Sequence, residues 1–165
     1  MQMEKGKLLF FCGKMAAGKS TLARKLAVDE DAVLLVEDEF LERLYPNEIT
    51  DLAAYAKYSS RIRNALAPHI RSLLARGVAV VLDFPANNRR QRQWFRQLID
   101  DAGAPHELHF IDAPDDVCLR QLQRRSESLP AGQQWTSEVE FHAVTAYFEP
   151  PNDDEGFDVV RHERV

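Results

Sequence analysis

The chain has 165 residues, of which 45% are hydrophobic and 28% are charged, and its formal net charge is -5. This composition is typical of a globular domain, and no apolar run is long enough to cross a membrane. The negative net charge excludes a general electrostatic attraction to nucleic acid. The polar N-terminus predicts no signal peptide, and the two cysteines, Cys12 and Cys118, are expected to be free thiols in the cytoplasm.

The first predicted elements are a strand, a glycine-containing loop and a helix. Residues 7–12 form a short apolar run that predicts a buried strand, and apolar residues at helical spacing predict a helix over 21–28. Between them, residues 13–20 read GKMAAGKS and match the pattern G-x-x-x-x-G-K-[ST]. In this pattern the backbone N–H groups surround phosphate oxygens, and the following helix directs its positive end at the same place. The sequence therefore predicts a P-loop that binds a nucleotide.

Two side chains of this loop have distinct predicted roles. Lys19 is expected to reach the β- and γ-phosphates and to assist phosphoryl transfer, and the Ser20 hydroxyl is expected to ligate Mg²⁺. The residues assigned to nucleotide binding are Gly13, Lys14, Met15, Ala16, Ala17, Gly18, Lys19, Ser20 and Thr21.

The rest of the chain alternates between predicted strands and helices. Strands are expected at 32–36, 78–82, 107–111 and 157–161, and helices at 38–44, 51–76, 88–102, from 113 onward and at 137–148. Pro68 is expected to kink or break the long helix. The polar stretch 126–136 predicts a mobile loop. Alternation of five strands with helices predicts one α/β domain over 1–165, with a doubly wound, mostly parallel five-stranded sheet and a lid around 120–136.

Asp38 follows the second predicted strand, at the sheet edge where ligands bind in this fold class. A carboxylate at this position can accept the proton of a hydroxyl that receives a phosphoryl group. The alternative is that Asp38 only caps the helix that follows, and the neighbouring Glu37 and Glu39 could compete for the catalytic role.

Asp83 directly follows the apolar run 78–82 and resembles a Walker B carboxylate. Such an acid, at the end of a strand beside a P-loop, holds Mg²⁺ directly or through water. The sequence therefore assigns the metal to Ser20 and Asp83, with a turn or helix cap as the alternative role of Asp83.

Two groups of arginines need an explanation. Arg120 and Arg124 lie four residues apart on one face of a predicted helix, and they are assigned to stabilise charge on the transferred phosphoryl group. For Arg125, pairing with Glu127 on a solvated surface is an equally good interpretation. A second set either binds an anionic acceptor or forms a capped helix start with an exposed basic face: Asn87, Asn88, Arg89, Arg90 and Arg92.

The P-loop, Asp38, the strand ending at Asp83, the Arg120/Arg124 helix and the run at 149–157 together resemble the zeta-toxin and polynucleotide-kinase-like group of P-loop kinases, often labelled AAA-family ATPases. The resemblance covers nearly the whole chain, and its one stringent motif is the P-loop. It implies a nucleotide-kinase-like P-loop NTPase fold and ATP-dependent phosphorylation of a hydroxyl that the aspartate orients. Polynucleotide kinases of the group carry an arginine three residues after that aspartate, where this chain has Leu41.

The predicted function is a cytoplasmic kinase that uses ATP and Mg²⁺ to phosphorylate a hydroxyl of a small molecule. Its catalytic residues would be Lys19, Asp38, Arg120 and Arg124. One alternative is a polynucleotide 5′-hydroxyl kinase that uses the basic face at 89–96. Another is a non-catalytic ATP-binding switch, in which ordering of 126–136 presents a partner surface. ATP is favoured over GTP because no N-K-x-D motif is present.

Overall fold

The computed structural model describes residues 4–129 and 136–165. The strands are β1 (Leu8–Cys12), β2 (Val33–Val36), β3 (Val80–Pro85), β4 (His106–Asp112) and β5 (Val159–Glu163). The helices are α1 (Lys19–Asp29), α2 (Glu37–Leu44), α3 (Leu52–Ala75), α4 (Arg89–Ala102), α5 (Asp115–Glu127) and α6 (Glu138–Thr145). A 3₁₀ turn at Asp153–Glu155 precedes β5. None of the helices in these two ranges is long and apolar enough to span a membrane.

The strands form one sheet in the order β2-β3-β1-β4-β5, and every neighbouring pair is parallel. The predicted doubly wound α/β fold is therefore confirmed, and the sheet is wholly rather than mostly parallel. β1 lies at its centre and is buried along its whole length. Its alternate residues face opposite sides, so that Phe10 packs with α3 and α4 and Phe11 packs with α1.

Aromatic packing fixes α4 on the sheet. The rings of Phe10 and Phe95 stack with centroids 4.4 Å apart, and both side chains are fully buried. Burying a phenylalanine contributes about 1.5–3 kcal/mol. The predicted ends of α4 are also present, because the Asn88 side chain accepts a bond from Gln91 N at 2.8 Å and Gly103 ends the helix with φ +60°.

Two elements differ from the prediction in a way that affects the site. α3 runs without a break through Pro68, since it packs buried residues such as Ile70 and Leu74 onto the sheet. β3 begins at Val80 and continues to Pro85, because β2 pairs with it as far as Asp83 and β1 pairs with it as far as Pro85. Asp83 therefore lies inside the strand rather than just after it.

The other differences are shifts of element ends. α1 and α2 begin earlier than predicted, α6 ends at Thr145 and β5 lies two residues further along the chain. α5 continues to Glu127, through the start of the predicted loop. Residues 130–135, which form most of that loop and the last part of the predicted lid, lie outside the described residues.

Candidate functional site

The loop between β1 and α1 needs glycine at both of its motif positions. A Cβ on Gly13 would lie 3.1 Å from the Ile111 carbonyl oxygen, and one on Gly18 would lie 2.9 Å from Nη1 of Arg164. Gly18 also has φ +110°, in the region that other residues rarely adopt. α1 begins at the next residue without a side-chain cap, so the N–H groups of its first turn remain available to an anionic ligand.

Three side chains from other elements hold this loop. Asn87 Oδ1 accepts a bond from Gly13 N at 3.0 Å, and Arg164 Nη1 donates to the Ala17 carbonyl at 2.6 Å. Lys14 Nζ donates to Asp115 Oδ1 at 2.7 Å. Asn87 follows β3, Arg164 follows β5 and Asp115 begins α5 after β4. They meet because parallel strands end at one edge of the sheet.

Lys19 lies at the centre of the loop. Its ammonium group donates to the carbonyl oxygens of Gly13 and Lys14, the latter at 2.9 Å. Burial lowers the pKa of Lys19 to about 8, although the nearby Cys12 and Asp83 oppose the shift. The cation is therefore held by neutral groups in a desolvated place, where a phosphate would be a stronger partner.

Ser20 and Asp83 meet as predicted. Ser20 Oγ donates to Asp83 Oδ2 at 2.7 Å. The two groups are oxygen ligands of the kind that Mg²⁺ prefers, and this ion commonly takes one or two protein ligands and completes its shell with phosphates and water. The described residues contain no group of three or more histidine, cysteine, aspartate or glutamate side chains that would form a separate metal site. The pair thus fits a nucleotide-bound Mg²⁺.

Asp38 lies in the first turn of α2 and opens onto the same cleft. The N-cap of α2 is Val36, so the interpretation of Asp38 as a helix cap is wrong. Partial burial, Glu37 and Asp83 raise the pKa of Asp38, and Lys19 acts in the opposite direction. A carboxylate with a raised pKa is a better proton acceptor than an ordinary aspartate.

Glu37 does not compete with Asp38, because its carboxylate is fully buried and paired. It accepts bonds from Tyr55 Oη at 2.9 Å, Ser59 Oγ at 3.0 Å and Arg63 Nε at 3.2 Å. Arg63 also donates to the Pro85 carbonyl at 2.6 Å. This Glu37 network joins α2, α3 and β3, and it fixes the helix turn that carries Asp38.

The cleft has a volume of about 270 Å³. The loop and the start of α1 contribute Met15, Ala16, Gly18, Lys19 and Ser20. The side chains opposite them include Asp38, Tyr55, Asp83, Phe84, Arg125 and Val144. The sequence analysis did not identify Tyr55, and no local pattern distinguishes it from a helix residue that faces the core.

The lid arginines are placed differently from the P-loop residues. Arg125 is exposed and lines the cleft. Arg120 is on the exposed surface of α5, where its guanidinium lies 3.5 Å from the Asp116 carboxylate, and Arg124 is exposed as well. Thr21 is exposed in the first turn of α1. The catalytic roles of Arg120 and Arg124 stay predictions.

The second arginine group binds the C-terminal segment, defined here as residues 149–157. Arg92 is 1% exposed and donates to Glu155 Oε1 at 2.8 Å, to the carbonyls of Ala86 and Glu149 at 3.0 and 2.8 Å, and weakly to Cys12 Sγ at 3.7 Å. We call this set the Arg92 clamp. On the same helix Arg89 pairs with Asp154, and Arg96 donates to the Gly156 carbonyl.

Comparison with known proteins agrees with this geometry. The chain matches the family AAA_33, described as an AAA domain, over residues 8–151. No curated protein matches it. Among solved structures, it resembles the APS kinase of Mycobacterium tuberculosis in complex with AMPPNP and APS, with a TM-score of 0.64, 19% identity and coverage of 98% of this chain and 90% of that chain.

Two further structures have the same fold. Kti12 of Chaetomium thermophilum, in complex with ADP-AlF3, gives a TM-score of 0.69 at 17% identity and covers 94% of this chain and 88% of its own. A chain of the Pnkp1/Rnl/Hen1 RNA repair complex gives 0.68 at 18% identity, with 88% of this chain and 44% of that chain covered. The fold is thus that of the kinase-like P-loop NTPases.

Proposed function

The chain belongs to the AAA_33 family of AAA domains, and we propose that it is a kinase that transfers the γ-phosphate of ATP to a hydroxyl of a small molecule. The observation that carries the proposal is the position of Asp38. Its carboxylate lines the same cleft as Lys19 and the Ser20–Asp83 pair. Among the described residues Asp38 has no ion-pair partner, and a nucleotide-binding protein without phosphoryl transfer has no need for such a carboxylate opposite its phosphate loop.

The donor side would work mainly by positioning and charge neutralisation. The loop amides and Lys19 would hold the β- and γ-phosphates, and ATP is the expected nucleotide. Ser20 and Asp83 would hold Mg²⁺, which supplies charge neutralisation between the phosphates when bound. Arg125, which lines the cleft, is a further candidate to contact the transferred group, beside the predicted Arg120 and Arg124.

Asp38 would orient the acceptor. Its raised pKa, caused by partial burial and by Glu37 and Asp83, favours uptake of the hydroxyl proton as the oxygen attacks phosphorus. The Glu37 network holds the turn that carries it. This network would keep Asp38 in place when the lid closes. The assignment of residues 120–136 as that lid is itself a proposal. The cytoplasmic location likewise stays a prediction.

The polynucleotide 5′-hydroxyl kinase remains the second candidate, because one structural neighbour belongs to an RNA repair complex. Two arginines of the basic face proposed for it already have carboxylate partners. Arg89 pairs with Asp154, and the buried Arg92 pairs with Glu155. Leu41 also stands where that group has an arginine. We therefore favour a small-molecule acceptor. With this acceptor the protein would still belong to the zeta-toxin and polynucleotide-kinase-like group that its sequence resembles.

The test compares Asp38→Asn with Glu39→Gln, a matched change at the next residue, which is exposed in the same helix turn. We expect Asp38→Asn to lower kcat by about 10²–10⁴-fold, with ATP affinity unchanged, and Glu39→Gln to leave both constants near wild type. Transfer would be followed with labelled ATP and pooled hydroxyl compounds. Equal behaviour of the two variants, or ATP turnover without a phosphorylated product, would overturn the proposal, and the latter would support the switch.

A further inference from the structure

The side of the cleft opposite the P-loop contains almost no positive charge. Among the described residues that line the cleft, the basic ones are Lys19 and Arg125. Lys19 belongs to the phosphate loop and is held at its carbonyls. The residues outside the described ranges, 1–3 and 130–135, include no lysine, arginine or histidine in the sequence. Apart from Lys19, Arg125 is therefore the one cationic side chain of the cleft that could bind an anionic acceptor, and the phosphates of ATP would compete for it.

Other arginines near this side are already paired. Arg63 lies under the cleft wall, where it binds the Glu37 carboxylate and the Pro85 carbonyl and stacks over Phe84 with 5.8 Å from its Cζ to the ring centroid. Arg92 is held by Glu155 and by backbone carbonyls. Moving either guanidinium toward a ligand would leave a buried carboxylate without its partner, which costs several kcal/mol.

The acidic residues that line the cleft are Asp38 and Asp83. Of the other acids in the first turn of α2, Glu37 is buried and neutralised by Arg63, and Glu39 does not line the cleft. Within the described parts of the chain, Asp38 forms no ion pair. A phosphate or carboxylate placed beside Asp38 would meet a like charge, which disfavours its binding there.

Apolar surface completes this wall. Tyr55, Phe84, Pro85 and Val144 all line the cleft. The Tyr55 hydroxyl is bound to Glu37 and Phe84 is 2% exposed, so both rings are fixed in place. Rigid aromatic and apolar groups suit a ligand with a ring or another apolar face.

We propose that the acceptor is an alcohol without any anionic group, either uncharged or cationic, that has a ring or apolar face against Tyr55 and Pro85. This inference rests on the kinase function proposed above. In the reaction the acceptor oxygen forms a bond to the γ-phosphorus, the bond from that phosphorus to the β,γ-bridging oxygen breaks, ADP leaves and the hydroxyl proton passes to Asp38. The Asp38 carboxylate acts as a filter against phosphorylated compounds and nucleic-acid ends.

The experiment uses the full chain with Mg²⁺, labelled ATP and three pools of hydroxyl compounds that differ in charge. The uncharged pool contains glucose and adenosine, and the cationic pool contains glucosamine and an aminocyclitol. The anionic pool contains glucose 6-phosphate, glucuronate, adenosine 3′-monophosphate and a 5′-hydroxyl oligonucleotide. We expect labelled product in the uncharged or cationic pool, at a rate at least about tenfold above that of the anionic pool.

Three outcomes are distinguishable. Product mainly in the anionic pool would overturn the inference and leave the kinase function standing. Product in no pool, with ATP still bound, would overturn both the inference and the kinase function.

If product forms in either of the first two pools, the best acceptor is tested with two variants of Tyr55. We expect Tyr55→Ala to raise the acceptor KM about tenfold, and Tyr55→Phe serves as the control that keeps the ring. An unchanged KM in Tyr55→Ala would contradict the proposed contact.

Arg125→Gln provides the charge control. For an acceptor without negative charge, this variant should leave the acceptor KM within about twofold of wild type, whatever it does to kcat. Arg124→Gln, an exposed arginine beside it that does not line the cleft, is the matched comparison. A selective rise of the acceptor KM in Arg125→Gln would indicate an anionic acceptor and would overturn the inference.

Discussion

Two clusters of charged side chains lie beside the end of β1, and they are built in opposite ways. In the Arg92 clamp, a guanidinium that is 1% exposed is bound by Glu155 and by backbone carbonyls. In the phosphate cleft, as far as the described residues extend, the partners of Lys19 are carbonyl oxygens and Asp38 forms no ion pair. Burial lowers the pKa of Lys19 and raises that of Asp38, so each charge is disfavoured there.

The difference separates residues that hold the fold from residues that await a ligand. A buried charge whose hydrogen bonds are all made contributes to structure, and its removal leaves its partners uncompensated. A charge kept in a desolvated cleft without an ionic partner is a candidate for function. Basic residues that look equivalent in the sequence therefore belong to different classes, and substitutions in the two clusters should affect different measurements.

The largest effect should come from Lys19→Ala in the cleft. We expect phosphoryl transfer to fall by at least about 10²–10³-fold, because the charge that would stabilise the transferred group is lost. The free energy of unfolding should be unchanged or slightly higher, since a desolvated ammonium is removed. Labelled-ATP transfer and urea unfolding measure the two quantities. A variant that unfolds readily but transfers phosphate at a normal rate would place Lys19 in the structural class.

The matching substitution in the clamp is Arg92→Met. Loss of the guanidinium leaves the Glu155 carboxylate, which is 6% exposed, without its ionic partner. It also leaves the carbonyls of Ala86, Glu149 and Pro150 without this donor. We expect a loss of about 3–5 kcal/mol in the free energy of unfolding. Arg90→Met, at an exposed position of the same helix, is the control and should change stability by no more than about 0.5 kcal/mol. Equal stabilities in urea unfolding would refute the structural role of the clamp.

Glu37→Gln tests a residue that should belong to both the structural and the functional class. The Glu37 network is fully paired, and it also supports Asp38. We expect stability to fall by about 1.5–3 kcal/mol, since the bond from Arg63 loses its charge assistance. We also expect a lower kcat with unchanged ATP affinity, as Asp38 becomes less well positioned. Stability loss without any change in kcat would make the network purely structural.

Local patterns predicted the parts of the molecule that depend on neighbouring residues. The P-loop, the Asn88 cap and the Gly103 helix end are such features, and each appears where the sequence indicated. The meeting of Ser20 with Asp83 followed from the rule that parallel strands end at one edge.

The missed features depend on contacts between distant parts of the chain. Arg92 binds Glu155 across 63 positions, and Arg63 binds Glu37 across 26. A basic helix face looks the same in sequence whether its guanidinium groups are solvated or buried. Of the kink or break expected at Pro68, the break does not occur for a related reason, because packing of α3 on the sheet outweighs the local preference to end the helix.

The smallest expected effect concerns Arg164, which joins the end of the chain to the P-loop. Its guanidinium donates to the Ala17 carbonyl at 2.6 Å, and one such hydrogen bond contributes about 0.5–1.5 kcal/mol. Arg164→Gln should therefore weaken ATP binding by about 2–10-fold, as measured by calorimetry, with little change in kcat at saturating ATP. Arg161→Gln is the control, since that arginine pairs with Asp112 and Glu163 on the exposed side of β5. If both variants bind ATP like wild type, the loop holds its shape without Arg164, and its support rests on Asn87 and Asp115 alone.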